Sequence, residues 1–393
     1  MYTGPHLIKD NLVFGYDTGY GVADNSTATR FYPGEPTTNL YTNSDFSNGE
    51  TGWTFGSWSS NAVTHTATTV LGPNGKTVSA NRLTVNAASS YSHFHQYNGS
   101  KYTSGNTYTT SAWVKGQGTF QIKSHWGGNT SFTMTGDWQR VSMTVTATTS
   151  TNSNFPYFAG EGLTVGSTFY ITDTQTELGG HATPYIYSGT TNGTRSSTES
   201  LLDLTKSTNI DVSNVSFGSD GLPTFDGTDD RVVSSTGINL SSYTSLTYEG
   251  VVKAVGLATH DRWFSGTAGS TYHNPDLAIS TNGQLRYIFS GGGISSWITP
   301  SGLTIDTTKF NHLVYTFTNT GVVKIYINGT QEYTATHSSA TFPNSSRFMT
   351  GMRFDNNGEG VVGSIPIAKV YSKALTADEV TLNYNAYKNR FDI

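Results

Sequence analysis

The chain has 393 residues, of which 12% are charged and 13% aromatic, with a net charge of −5, 43 glycines and no cysteine. The charged share is about half that of ordinary soluble domains, while the aromatics argue against disorder; the absence of cysteine excludes disulfide scaffolds, thiolate zinc sites and cysteine nucleophiles. No Lys/Arg block suggests a nucleic-acid groove or a polybasic membrane patch, and no apolar run reaches the ~20 residues of a membrane helix. The first residues, Met1–His6, carry neither a basic nor an apolar segment, so no secretory signal is expected. A protein of extracellular composition made in the cytosol and released in assembled particles fits this pattern.

Short alternating runs read as strands along the chain: Arg82 to Val85, Thr107 to Lys115, Thr119 to His125, Val141 to Ala147, Ser167 to Glu177, Gly283 to Phe289, Phe310 to Phe317 and Val361 to Val370. In Val322–Tyr333, Val323, Ile325 and Ile327 share a face, and Asn328-Gly329 predicts a type I′ hairpin turn. Leu375-Thr376-Ala377-Asp378-Glu379-Val380 reads as a capping box opening a short helix that ends near Asn389, with Val380, Tyr384 and Tyr387 on one face. Turn-rich seams lie at Gly189–Ser197 and near Tyr32–Thr38. The expected fold is all-β: two jelly-roll sandwiches and a short C-terminal helix.

Four segments in order resemble the laminin-G-like (concanavalin-A-like) jelly roll: Phe225–Val233, Phe310–Phe317, the Asn328-Gly329 hairpin and Val370–Thr376. Asn11–Asp17 resembles that fold's first strand, and Leu201–Thr205 the segment that normally follows soon after it. Residues 38–188 resemble carbohydrate-binding modules and their relatives in phage tail proteins, through Asn39–Phe46 with Trp53, Tyr108–Lys115, Asp137–Val141, Phe169–Glu177 and Ala182–Tyr185. The resemblance implies one jelly roll of residues 1–37 plus 190–393, with residues 38–189 inserted in a surface loop, where insertion is tolerated.

The sharpest candidate site is Tyr91-Ser92-His93-Phe94-His95-Gln96-Tyr97. On a strand, Tyr91, His93, His95 and Tyr97 share a face and Phe94 opposes them. Flat sugar C–H faces stack on aromatic rings while polar neighbours bind hydroxyls, so this face suits a glycan, with Trp126 and Trp53 or Trp58 joining it. A metal on His93 and His95 would need further ligands, which the sequence does not identify. Asp173, Gln175 and Glu177 alternate like the acidic strand of glycosidases, but Asp173 and Glu177 would lie ~13 Å apart in a regular strand, beyond the ~5–9.5 Å of paired carboxylates; no enzyme activity is expected. The module resemblance implies that Asp45 and Asp173 inherit a structural Ca²⁺ role. The acidic group Asp226, Asp229 and Asp230 reads as a polar turn rim.

The resemblance to phage proteins that combine these modules implies a bacteriophage virion protein, a tail fibre or adhesin binding host cell-surface polysaccharide, and the composition leads us to expect no nucleic-acid binding or membrane insertion. Contacts with other virion proteins and a homo-oligomer, a trimer by analogy with phage fibres, are expected. The alternatives are a purely structural capsid-decoration or neck component, and a glycan depolymerase.

Overall fold

The computed structural model describes residues 7–18, 34–56, 62–73, 75–88, 93–96, 101–150, 156–159, 163–218, 220–255, 260–267, 275–289, 294–339, 341–354 and 359–393. Their contacts divide into two compact units. The larger holds Ser197–Ile393 with residues 7–18 and 34–35, the smaller Pro36–Ser196. Apart from the C-terminal helix and a single 3₁₀ turn, the regular elements described are strands.

The larger unit is a sandwich of an eight-stranded and a seven-stranded sheet. Their inner faces enclose one core, with Tyr248, Trp263, Phe264, Tyr287, Phe289, Tyr315 and Phe317 among its rings. The alternation read from the sequence supplies these residues, since every second side chain of a strand points to the same face. Leu12–Asp17 pairs antiparallel with Val362–Tyr371, about 350 positions away, and so joins the chain's first described segment to the eight-stranded sheet. Within this sheet Val322–Ile327 and Thr330–Thr336 form the expected two-residue hairpin, with Asn328 at φ 50° and Gly329 at φ 83°. Glycine is needed at 329 for a second reason: a Cβ there would approach the ring of Tyr384 to 2.8 Å.

The helix Ala377–Phe391 begins with the capping box of Thr376 and Glu379 and runs two residues past its expected end. Its buried face is Val380, Asn383, Tyr387 and Phe391. Tyr384 is only half-buried, and Asn383 takes the inward place because the sheet beneath is polar. There Glu249 accepts from Tyr371 (2.9 Å) and Asn383 (3.1 Å) and lies 2.7 Å from His312, while Lys369 donates to Tyr387. Burial alone would raise the Glu249 carboxyl; His312, Lys369 and Tyr371 outweigh it and hold the group below the ordinary carboxylate value. This network ties helix to sheet, since Glu249, Tyr371, Asn383, Lys369 and Tyr387 pair with one another across the boundary, while Nδ1 of His312 is left without a hydrogen bond.

In the smaller unit one eight-stranded sheet surrounds a separate core. Two 18-residue strands, Thr107–Ser124 and Asn129–Thr146, carry it, so that two runs read separately from the sequence form one strand. The break between those runs is a register shift between Lys115 and Gln117, followed by Gly118 at φ 98°, where a Cβ would meet Thr164 Oγ1 at 2.1 Å. Ala112 and Val114 before the shift, and Phe120 and Ile122 after it, reach the same core.

Candidate functional site

At one end of the smaller unit's sheet, His93–His95 lies between Thr54–Gly56 and Pro156–Ala159, and the latter pairs with the end of Thr107–Ser124. Phe94 enters the core, with its ring 4.9 Å from Phe158 and 5.4 Å from Trp53. His93 and His95 project from the other face, stacked at 4.9 Å and 26°. The row continues through Tyr157, 5.2 Å from His93, to His125, 4.9 Å from Tyr157. His93 and Tyr157 are half-buried and His125 is exposed, with half-buried Lys123 on the adjoining strand. This gives a continuous strip of imidazole and phenol rings that is polar at its edges. Tyr157 was missed by sequence reasoning because Pro156–Ala159 is four residues long and shows no period of its own.

Other expected members of the platform stand elsewhere. Trp53 is 8% exposed, stacked on Phe46 at 5.1 Å, with its Nε1 donating to the Asn43 carbonyl. It is a core residue, and a sugar has no ring face there to cover. Trp126 is 9% exposed and packs in a cluster with Tyr102 and Tyr108. His95 is 1% exposed, and burial, reinforced by His93 and His125, pushes its pKa down to about 3, so the ring is neutral. A strand pattern shows which side chains share a face; whether loops then cover that face is a tertiary matter. Tyr91, Tyr97 and Trp58 lie outside the described residues.

The acidic strand also departs from its expected form. Between Thr172 and Gln175 the register shifts, with Asp173 at φ 49°, so Asp173 is out of phase with Gln175 and Glu177. Gln175 donates to Glu177 (2.7 Å), and Glu177 accepts from the backbone N–H (2.8 Å) and hydroxyl (2.5 Å) of Thr183. The two side chains fasten the segment Ala182–Tyr185 onto the strand. Asp45 Oδ1 accepts from the Ser47 N–H, closing a local turn. The carbonyls of Gly49 and Thr51, natural neutral ligands for a hard cation in that loop, already accept from Asn43 Nδ2 at 3.0 Å each. Neither Asp45 nor Asp173 belongs to a group of three or more carboxylate or imidazole donors among the described residues, and neither do His93 and His95. Asp45 and Asp173 would supply at most two of the six to eight ligand groups that a Ca²⁺ ion takes, the rest falling to carbonyls and water.

In the larger unit, Asp226, Asp229 and Asp230 bring three carboxylate oxygens within 4.8 Å of one another. Each already accepts a hydrogen bond: from Thr228 N, Asn214 Nδ2 and Asp226 N respectively. Burial and its two neighbours raise Asp230 to about 6.

Residues 226–381 match the laminin-G family model described as the concanavalin A-like lectin/glucanases superfamily. The larger unit has the concanavalin A-like fold. Similar solved structures include the botulinum neurotoxin serotype D binding domain (17% identity, TM-score 0.37, covering 48% of this chain and 49% of that one). Domain 4 of AbnA, an extracellular arabinanase of Geobacillus stearothermophilus in complex with arabinotriose, shares 22% identity at a TM-score of 0.35, over 46% of this chain and 90% of that domain. Trypanosoma rangeli sialidase shares 15% at 0.39, over 48% and 30%. The chain thus spans about half the length of the toxin domain. No curated protein matches it. None of these likenesses states what this chain binds.

Proposed function

We propose that the protein is a carbohydrate-binding component of a bacteriophage host-attachment apparatus, a tail fibre or adhesin on the virion surface that holds host cell-surface polysaccharide. The observation that carries the glycan reading is the strip His93–Tyr157–His125, which is backed by the buried ring of His95 and lies on the face opposite the core residue Phe94. Ring faces take sugar C–H groups and the imidazole nitrogens take hydroxyls. The virion part rests on the segments resembling phage tail modules, and the low-charge, cysteine-free composition is compatible with it. A homotrimer on that surface, in contact with other virion proteins, would multiply weak single-site affinity through effective concentration. The test is binding of wild-type, His93→Ala and Tyr157→Ala proteins to host surface polysaccharide, with thermal melts alongside. Equal binding at equal stability removes the site. The burial of Trp53 and Trp126 favours a second reading, a purely structural virion component, which predicts no polysaccharide binding by any of the three proteins.

A further inference from the structure

In the smaller unit, Val114, Val141, Ile171 and Leu83 point into the core. Lys115, Trp138, Tyr170 and Arg82 occupy the alternate positions of the same strands and therefore point away from it. The register sets these four side by side. Trp138 lies opposite Lys115, Lys115 opposite Tyr170, and Tyr170 opposite Arg82. One row thus crosses four adjacent strands and alternates aromatic ring with cation. In the next row Trp113 stands between Arg140 and Thr172. Both rows use the part of Thr107–Ser124 before its register shift, whereas the histidine strip adjoins the end of that strand.

Trp138, Lys115, Tyr170 and Trp113 are half-buried and Arg82 is exposed. Among the described residues, Lys115 and Arg82 have no ion-pair or hydrogen-bond partner, and no ring or cation contact covers Trp138, Tyr170 or Trp113. The indole of Trp138 is oriented by its Nε1, which donates to the Leu71 carbonyl at 2.8 Å. No Asp or Glu stands in either row. Further along the face, Glu177 is engaged by Gln175 and Thr183, and Arg140 by Ser111 (3.0 Å) and the Thr183 carbonyl (2.7 Å). Those two charges belong to the fastening of Ala182–Tyr185 and leave the row to Lys115 and Arg82. Two cations without a counter-charge, in a chain of net charge −5, suit an anionic occupant. The rings between them suit the C–H faces of pyranoses. Neighbouring strands lie ~4.8 Å apart, about the length of one sugar residue in an extended chain. A polysaccharide laid across the strands therefore meets ring, cation, ring and cation at successive residues.

We infer that this row binds an acidic polysaccharide carrying a uronate at every second residue, with Trp138 and Tyr170 stacking on the neutral residues and Lys115 and Arg82 pairing with the carboxylates. The site is separate from the histidine strip and does not depend on it. Calorimetric titration of the full chain with hyaluronan hexasaccharide, in which glucuronate alternates with a neutral sugar, and with its carboxyl-reduced counterpart tests the proposal. The acidic form is expected to bind at least tenfold tighter than the reduced one. Lys115→Gln and Arg82→Gln should each weaken binding of the acidic form about three- to tenfold, as loss of a charged hydrogen bond at a partly exposed site does. Neither should change binding of the reduced form. Tyr170→Ala should weaken both forms, because its ring stacks on a neutral residue. His93→Ala should leave this binding unchanged, which separates the outcome from that of the polysaccharide test above. Rings and anions also make up single-stranded nucleic acid, so decathymidylate is titrated alongside; tighter binding of it than of the hexasaccharide would assign the row to nucleic acid and overturn the inference. It is equally overturned if the hexasaccharide does not bind, if its acidic and reduced forms bind equally, or if the Lys115→Gln/Arg82→Gln double variant, folded as judged by its melt, binds like wild type.

Discussion

Acidification should destabilise the smaller unit through His95. Its ring is 1% exposed and its pKa falls from 6.5 to about 3 on burial, so the folded ring stays neutral where the unfolded chain takes up a proton. A group depressed in this way contributes its full stability above the unfolded value and loses it as pH falls toward the folded one. The loss is about 1.4 kcal/mol per pH unit, or about 2 kcal/mol at pH 5 relative to pH 7. That is a sizeable fraction of the roughly 5–15 kcal/mol that holds a domain together. Neighbouring His93 and His125 add repulsion wherever they are charged. The assay is urea unfolding of wild type and His95→Gln at a series of pH values between about 5 and 8, comparing the two slopes, since other titrating groups cancel in the difference. Glutamine cannot titrate in this range, so the variant should lose most of the acid sensitivity even if it is less stable at neutral pH. Equal slopes for both proteins would refute the reasoning.

Three further outcomes follow from other contacts. Asp230, raised to about 6, is a group whose stability contribution is lost as pH rises from 3.8 through that value; Asp230→Asn should therefore stabilise the larger unit by about 2 kcal/mol near pH 7.5 and give no gain near pH 4, read by thermal melts at both. Trp53→Ala should cost about 3–5 kcal/mol in chemical denaturation, as for large core truncations; normal stability with lost polysaccharide binding would return Trp53 to the platform. Thr376→Ala should cost about 1 kcal/mol by removing the cap whose hydroxyl accepts from Glu379 N, measured as a shift in the urea midpoint.

What the sequence determined by itself was whatever depends on neighbours a few residues apart. Alternation in Phe310–Phe317, positive φ at Asn328-Gly329 and the Thr376/Glu379 box are local energetics, and each is present in the folded chain. The opposition of Phe94 to His93 and His95 belongs here too, because strand pleating needs no tertiary information. Tertiary structure alone decided what covers a face and which distant segments meet. It buried Trp53 and Trp126, where their side chains had read as a platform. It shifted the register before Gln175, breaking an alternation that looked regular, because Gln175 and Glu177 must turn toward Thr183. It set Trp138, Lys115, Tyr170 and Arg82 in one row from four separate strands. Such a row leaves no period in the sequence, since its members are held together by sheet register across the fold and not by spacing along the chain.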